Sequence, residues 1–216
     1  MKSIRLLLAV ILLAAVLVAA GGNVGAQTNQ TPEEVEANYT KAIEGRTADI
    51  LKVLALADTN RASHVHAAVM AQYRLLRAWH DENDGKLKAA KADTNALAQI
   101  RVSLKAIHEA FLAKLSEDLS PDQVEQVKDK MTYGKVQFTF AGYLAAYPNL
   151  EENHQQKILD ILKQAREEAM DGGSAAEKTA VFQKAKGKIN NYLSKQGIHP
   201  EKAKTGTAPT NSAPVP

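Results

Sequence analysis

The segment KVQFTFAGYLAAYP, Lys135 to Pro148, decides the fold class. Val136, Phe138 and Phe140 alternate as they would on a half-buried strand, whereas Val136, Phe140, Tyr143, Leu144 and Tyr147 recur at helical spacing. A strand needs neighbours to be stable in water, and the flanking sequence offers it no partner. The segment therefore reads as a helix. Immediately upstream, LSPDQVEQVKDKMTYGKV, Leu119 to Val136, carries its own start and stop. Ser120 is placed to cap, Pro121 suits the first helical position, Gln123 can reach back, and Val124, Val127 and Met131 fall on one face. Gly134 is a natural terminator, so this helix ends near Thr132.

The rest of the chain follows the same period. Thr31, Pro32 and Glu34 form a capping box ahead of Val35, Tyr39, Ala42, Ile43, Ile50 and Leu54, a helix that ends near Leu56. A second helix starts behind Asp58 or Thr59 and carries Ala62, Val65, Val69, Tyr73 and Leu76 inward. The turn-rich HDENDG, residues 80–85, is expected to stop or loosen it. Leu97, Ile100, Leu104, Ile107, Phe111 and Leu115 make a third stripe. Asn149 with Glu152 opens a helix that DGGS, residues 171–174, closes, and Ser174 with Glu177 opens the last one, which runs to Gly197. The fold class is all-α: a single-domain bundle or orthogonal array of six to seven helices.

The N-terminus has the pattern of an export signal. Lys2 and Arg5 precede the apolar run Leu6 to Ala20, and small residues lead to a cleavage point after Ala26. The apolar run is shorter than the roughly 20 residues a membrane-spanning helix needs. The expected organisation is a signal peptide over 1–26, one α-helical domain over 27–198 and a disordered Pro-, Thr- and Ala-rich tail over 199–216, in a periplasmic or secreted protein. No cysteine is present, so the domain must be held by its own core. Removing Lys2 and Arg5 from the 27 basic residues leaves 25 against 24 acidic ones. That balance argues against nucleic acid as a partner.

Catalytic signatures are sparse. The chain has no cysteine nucleophile, no G-x-S-x-G turn and no H-E-x-x-H. His64 and His66 point to opposite sides of a helix, and His80 with Asp84 supplies only two ligands at the right spacing, so no metal or other cofactor is expected. A sugar site would use aromatic rings for apolar sugar faces and amides or hydroxyls for its polar edge. Thr132, Tyr133, Lys135 and Gln137, with Tyr143 and Tyr147 beyond, have that composition, as do Asn190, Asn191 and Tyr192.

Two resemblances sharpen this. LSPDQ before an amphipathic helix resembles the L-T-x-x-Q signature of the periplasmic Spy and CpxP chaperone and stress-sensor family, with Ser120 in place of Thr. More extensively, MTYGKV, AREEAMD and GKINNYL, within three longer segments covering much of the chain, resemble the extracytoplasmic bacterial family known as domain of unknown function 3826. That resemblance implies a periplasmic or secreted helical protein linked to carbohydrate use. The ligand-binding candidates are then Tyr133, Lys135, Gln137, Arg166, Asp171, Asn190 and Asn191. The leading expectation is a binding or accessory module for a glycan or for another envelope protein, with no membrane span once the signal is removed. The alternatives are a Spy-like chaperone, or a polysaccharide hydrolase or lyase built on two carboxylates or on a Tyr-Lys or Tyr-Arg pair facing one cleft.

Overall fold

A computed structural model describes residues 30–200. Seven helices run through them: α1 Pro32–Leu54, α2 Thr59–Ala89, α3 Thr94–Ser116, α4 Pro121–Met131, α5 Lys135–Ala146, α6 Glu152–Met170 and α7 Ala175–Lys195. No strand occurs among the described residues, and Lys135 to Ala146 is helix, which decides between the two patterns its sequence carries. The proposed signal peptide and residues 201–216 of the tail lie outside the described residues. No described helix is long and apolar enough to cross a membrane.

Most helix starts follow from the sequence rules. Thr31 accepts from Glu34 N–H while the Glu34 carboxylate accepts from Thr31 N–H at 2.8 Å, and Ser120 and Gln123 repeat the box at α4. Asp58 and Asp93 cap α2 and α3 with one carboxylate oxygen each. At α7 the box is shifted: Ser174 accepts from Glu177 N–H, but the Glu177 carboxylate takes Gly173 N–H at 2.8 Å, not that of its own cap.

Two expectations fail. α2 runs straight through HDENDG to Ala89. Asn83 is buried there and donates to the Trp79 carbonyl at 2.9 Å, while His80–Asp84 and Lys86–Glu82 pair across successive turns. These contacts outweigh the weak helix propensity of Asn, Asp and Gly. The start of α6 also lies later than Asn149, with Glu151 in the cap position. Leu150 is buried and its carbonyl accepts from the Gln155 side chain at 2.7 Å, so a core anchor sets where the helix begins.

The core has two parts. Ile43 and Ile50 of α1, Val65 and Val69 of α2, Phe111 and Leu115 of α3 and Val127 and Met131 of α4 fill the first. Val136 and Tyr143 of α5, Ile158 and Leu162 of α6 and Phe182, Ile189 and Leu193 of α7 fill the second. Each such side chain contributes about 1.5–3 kcal/mol on burial. α6 joins them, since Met170 at its end packs into the first part and Arg166 ties it to α4. The α6–α7 turn, residues 171–174, is therefore pinned between both halves, and the candidate sites lie on either side of it.

Candidate functional site

The seven residues singled out from sequence do not share one cavity. Arg166 is only 3% exposed and reaches Asp129 at 2.5 Å and Glu125, cross-tying α6 to α4. Burial opposes its charge, but those two carboxylates hold its pKa above the usual guanidinium value. Asn190 accepts a 2.7 Å hydrogen bond from the Tyr143 hydroxyl, in a separate shallow groove between α5 and α7 where Phe138 stands 79% exposed. Gln137 and Asn191 are exposed and Lys135 is half-buried, and none of the three lines the cavities that hold Tyr133, Asp171 or Asn190. Tyr133 and Asp171 do lie at cavities, on opposite sides of the α6–α7 turn.

Tyr133 owes its position to backbone strain. α4 stops at Met131, and Tyr133 and Gly134 then take consecutive left-handed conformations, at φ +60° and +62°. A residue with a side chain loses about 1–2 kcal/mol there, a cost that Gly134 avoids and Tyr133 does not. Gly134 N–H returns to the Asp129 carbonyl at 2.8 Å, closing the helix end. The reversal leaves Tyr133 47% exposed beside a pocket of about 280 Å³.

Three tyrosines and three cations wall this pocket: Tyr39, Tyr73 and Tyr133, with Arg46, Arg77 and Lys178, and none of the described residues lining it carries a carboxylate. Tyr39 spends its hydroxyl on the Tyr73 carbonyl at 2.7 Å. The Tyr73 and Tyr133 hydroxyls have no hydrogen-bond partner among the described residues. Burial pushes the Tyr73 phenol up to about 12, so it is a neutral donor at every working pH. Arg77 lies over the Tyr39 ring and pairs with Glu36 at 2.8 Å, while Arg46 lies over the Tyr73 ring and has no ion pair among the described residues.

Lys178 is the deepest of the cations, 5% exposed, and donates to the Met131 and Met170 carbonyls at 3.2 and 3.1 Å. It thus caps the C-terminal ends of α4 and α6 at once. Burial pulls its ammonium down to about 8. Gly172 to Ala175 complete the wall with the N-terminal end of α7, where the Ser174 hydroxyl takes the Glu177 N–H and the Ala175 and Ala176 N–H groups have no acceptor among the described residues. Cations, phenol donors and a helix N-terminus together make a seat for an anion.

Across the turn lies a cleft of about 730 Å³ between α2 and α3 on one side and α6 and α7 on the other. His108 presents its two ring nitrogens to Asp171 at 2.9 Å and Glu167 at 3.4 Å. Hydrogen bonds donated by its charged ring to those carboxylates raise it to about 9. Burial alone would raise Glu167, but His108 and Lys128 bring it to about 2. His108 is thus a fixed cation at neutral pH and no general base. His80 donates Nε2–H to the Asp171 carbonyl at 2.7 Å and faces Asp84 with Nδ1 at 2.9 Å. Burial disfavours its charge, yet those two hydrogen bonds leave its pKa above the ordinary value.

Arg46, Tyr39, Tyr73 and Lys178 carried no signal as site residues in the sequence. The first three read as the periodic face and flank of α1 and α2, and they converge with Tyr133 only through the packing of four helices. Glu177 had a sufficient local explanation as a cap, which hid its approach to His80 from 97 residues away along the chain, 3.9 Å from Nδ1.

The described residues define an all-α single domain that carries a basic, tyrosine-walled pocket on one side of the α6–α7 turn and a histidine-carboxylate cleft on the other. The sequence profile of the family described as "Protein of unknown function (DUF3826)" matches residues 40–208, most of the chain, and the protein belongs to that family. Comparison with curated proteins gives no match. The short LSPDQ likeness to the Spy and CpxP proteins has no counterpart in these findings, and the Ser120–Gln123 capping box accounts for it.

Proposed function

We propose that the protein is an exported binding module whose tyrosine-walled pocket holds the acidic group of a saccharide. The observation that carries this reading is the convergence of Arg46, Arg77 and Lys178 with the Tyr73 and Tyr133 hydroxyls on a pocket where, among the described residues, those hydroxyls have no partner and no carboxylate lines the wall. A carboxylate would meet two arginines and a helix N-terminus, each favourable to negative charge. The ring of the same sugar would lie against the Tyr133 face, with its hydroxyls toward the phenols. A volume of about 280 Å³ suits one residue of a glycan and no long segment of it. Uronic acids are the class that joins these two chemistries.

Calorimetric titration separates the possibilities. A uronate-containing oligosaccharide binds wild type, its neutral counterpart binds much more weakly, and Tyr133→Ala weakens the acidic ligand. Equal affinity for acidic and neutral saccharides, or binding of neither, refutes the proposal. The tyrosine-lysine-arginine set also resembles what a lyase would use. The Lys178 amine, however, already holds two backbone carbonyls, which favours a role in binding.

A further inference from the structure

The cleft on the far side of the turn supports an inference independent of the saccharide pocket. We infer that His80, Asp84 and Glu177 form a site for a divalent transition-metal ion, of which Zn²⁺ and Mn²⁺ are the representative cases. One ligand atom from each residue falls within 4.8 Å of the other two. His80 Nδ1 and Asp84 Oδ1 are 2.9 Å apart, close to the roughly 3 Å between neighbouring ligands around an ion bonded at about 2.0–2.2 Å. Glu177 Oε2 stands 3.9 Å from Nδ1, held toward the cluster by the Gly173 N–H at 2.8 Å. An imidazole with two carboxylates selects zinc or manganese over the all-oxygen cages that calcium prefers.

Three features outside the ligand atoms prepare the site. The Asp171 carbonyl takes the Nε2 proton of His80, which turns Nδ1 toward the two carboxylates, so that an ion would displace only the Nδ1 proton that now reaches Asp84. Such outer partners are typical of metal-bound histidines. Gly173 leaves room for the ring, since a Cβ there would stand 2.7 Å from His80 Cγ. Trp79 meets the same ring edge-on at 5.0 Å between centroids. The imidazole is thus fixed in place, while Asp84 and Glu177 remain partly exposed at the wall of an open cleft. Three protein ligands leave further positions for water or a small ligand.

Trp79 is the only tryptophan in the chain, so its fluorescence reports on this site alone. The test is titration of full-length protein with Zn²⁺ by calorimetry and with Co²⁺, a paramagnetic quencher, by Trp79 emission. Wild type and the Asp84→Asn/Glu177→Gln double variant are compared, with the helical circular dichroism of both recorded. Both altered residues are partly exposed and keep an oxygen acceptor, so the fold is retained. The expected result is one saturable equivalent, quenching of Trp79, and at least a tenfold loss of affinity in the double variant. Absence of saturable binding shows that the cluster is only a protonated-histidine ion pair. Binding unchanged in the double variant places the ion elsewhere. Either outcome overturns the inference.

Discussion

Replacing His108 by Gln tests the charge architecture of the cleft. His108 rises from its ordinary value of 6.5 to about 9 because Asp171 and Glu167 both hydrogen-bond to its charged form. A tenfold change in proton affinity is about 1.4 kcal/mol, so the full rise corresponds to about 3 kcal/mol. The two carboxylates are partly exposed and share the interaction, which brings the expected difference to about 2 kcal/mol. A folded pKa raised above the unfolded one gives stability that is complete below about pH 6.5 and disappears as pH climbs through 9. Wild type should therefore exceed His108→Gln by about 2 kcal/mol at pH 6 and by little at pH 10. Urea denaturation of both proteins in chelator across this range measures it. Lys178, which titrates near 8, is common to both proteins and cancels in the comparison. A stability difference that does not change with pH would refute the argument.

Two further substitutions separate fold from site. Ser120→Ala removes one half of the α4 capping box and should cost about 1 kcal/mol in the same assay, with saccharide binding unchanged. Arg166→Met leaves Asp129 and Glu125 facing each other without their shared cation. Because both carboxylates retain some solvent, the expected loss is about 2–3 kcal/mol, again with unaltered saccharide affinity at temperatures where the variant is folded. Loss of saccharide binding in folded Arg166→Met would return Arg166 to the list of ligand residues.

The legible parts of this protein were those decided within a few residues. Capping boxes at Thr31 and Ser120, the Gly134 stop and the helical stripe through Val136 and Tyr143 are local, and the structure contains each of them. HDENDG misled because its composition is that of a turn, while the burial of Asn83 and the hydrogen bond from His80 to the Asp171 carbonyl, which help keep it helical, come from the wider fold. Tyr133 stood out in the sequence for a physical reason: a tyrosine directly before a helix-ending glycine is not where packing would place one, and the structure shows it strained and beside a pocket. Arg166 was a misleading signal of another kind. Buried charge and ligand-binding charge look alike in a sequence, and only the approach of α4 distinguishes them. The partners of Tyr133 were hidden because Arg46, Tyr73 and Lys178 come from three different helices whose meeting depends on two-part core packing.

In the proposed function, an unopposed cation at the tyrosine-walled pocket, Arg46, recognises the acidic group of a sugar. Arg46 is exposed, has no carboxylate partner among the described residues and touches the core only through its guanidinium over the Tyr73 ring, so Arg46→Ala should keep the fold. Calorimetric titration of a uronate-containing oligosaccharide against the two proteins is the direct measurement. A charged hydrogen bond is worth about 1.5–3 kcal/mol, which predicts at least a tenfold weakening for Arg46→Ala. Equal affinity in the two proteins would contradict the account.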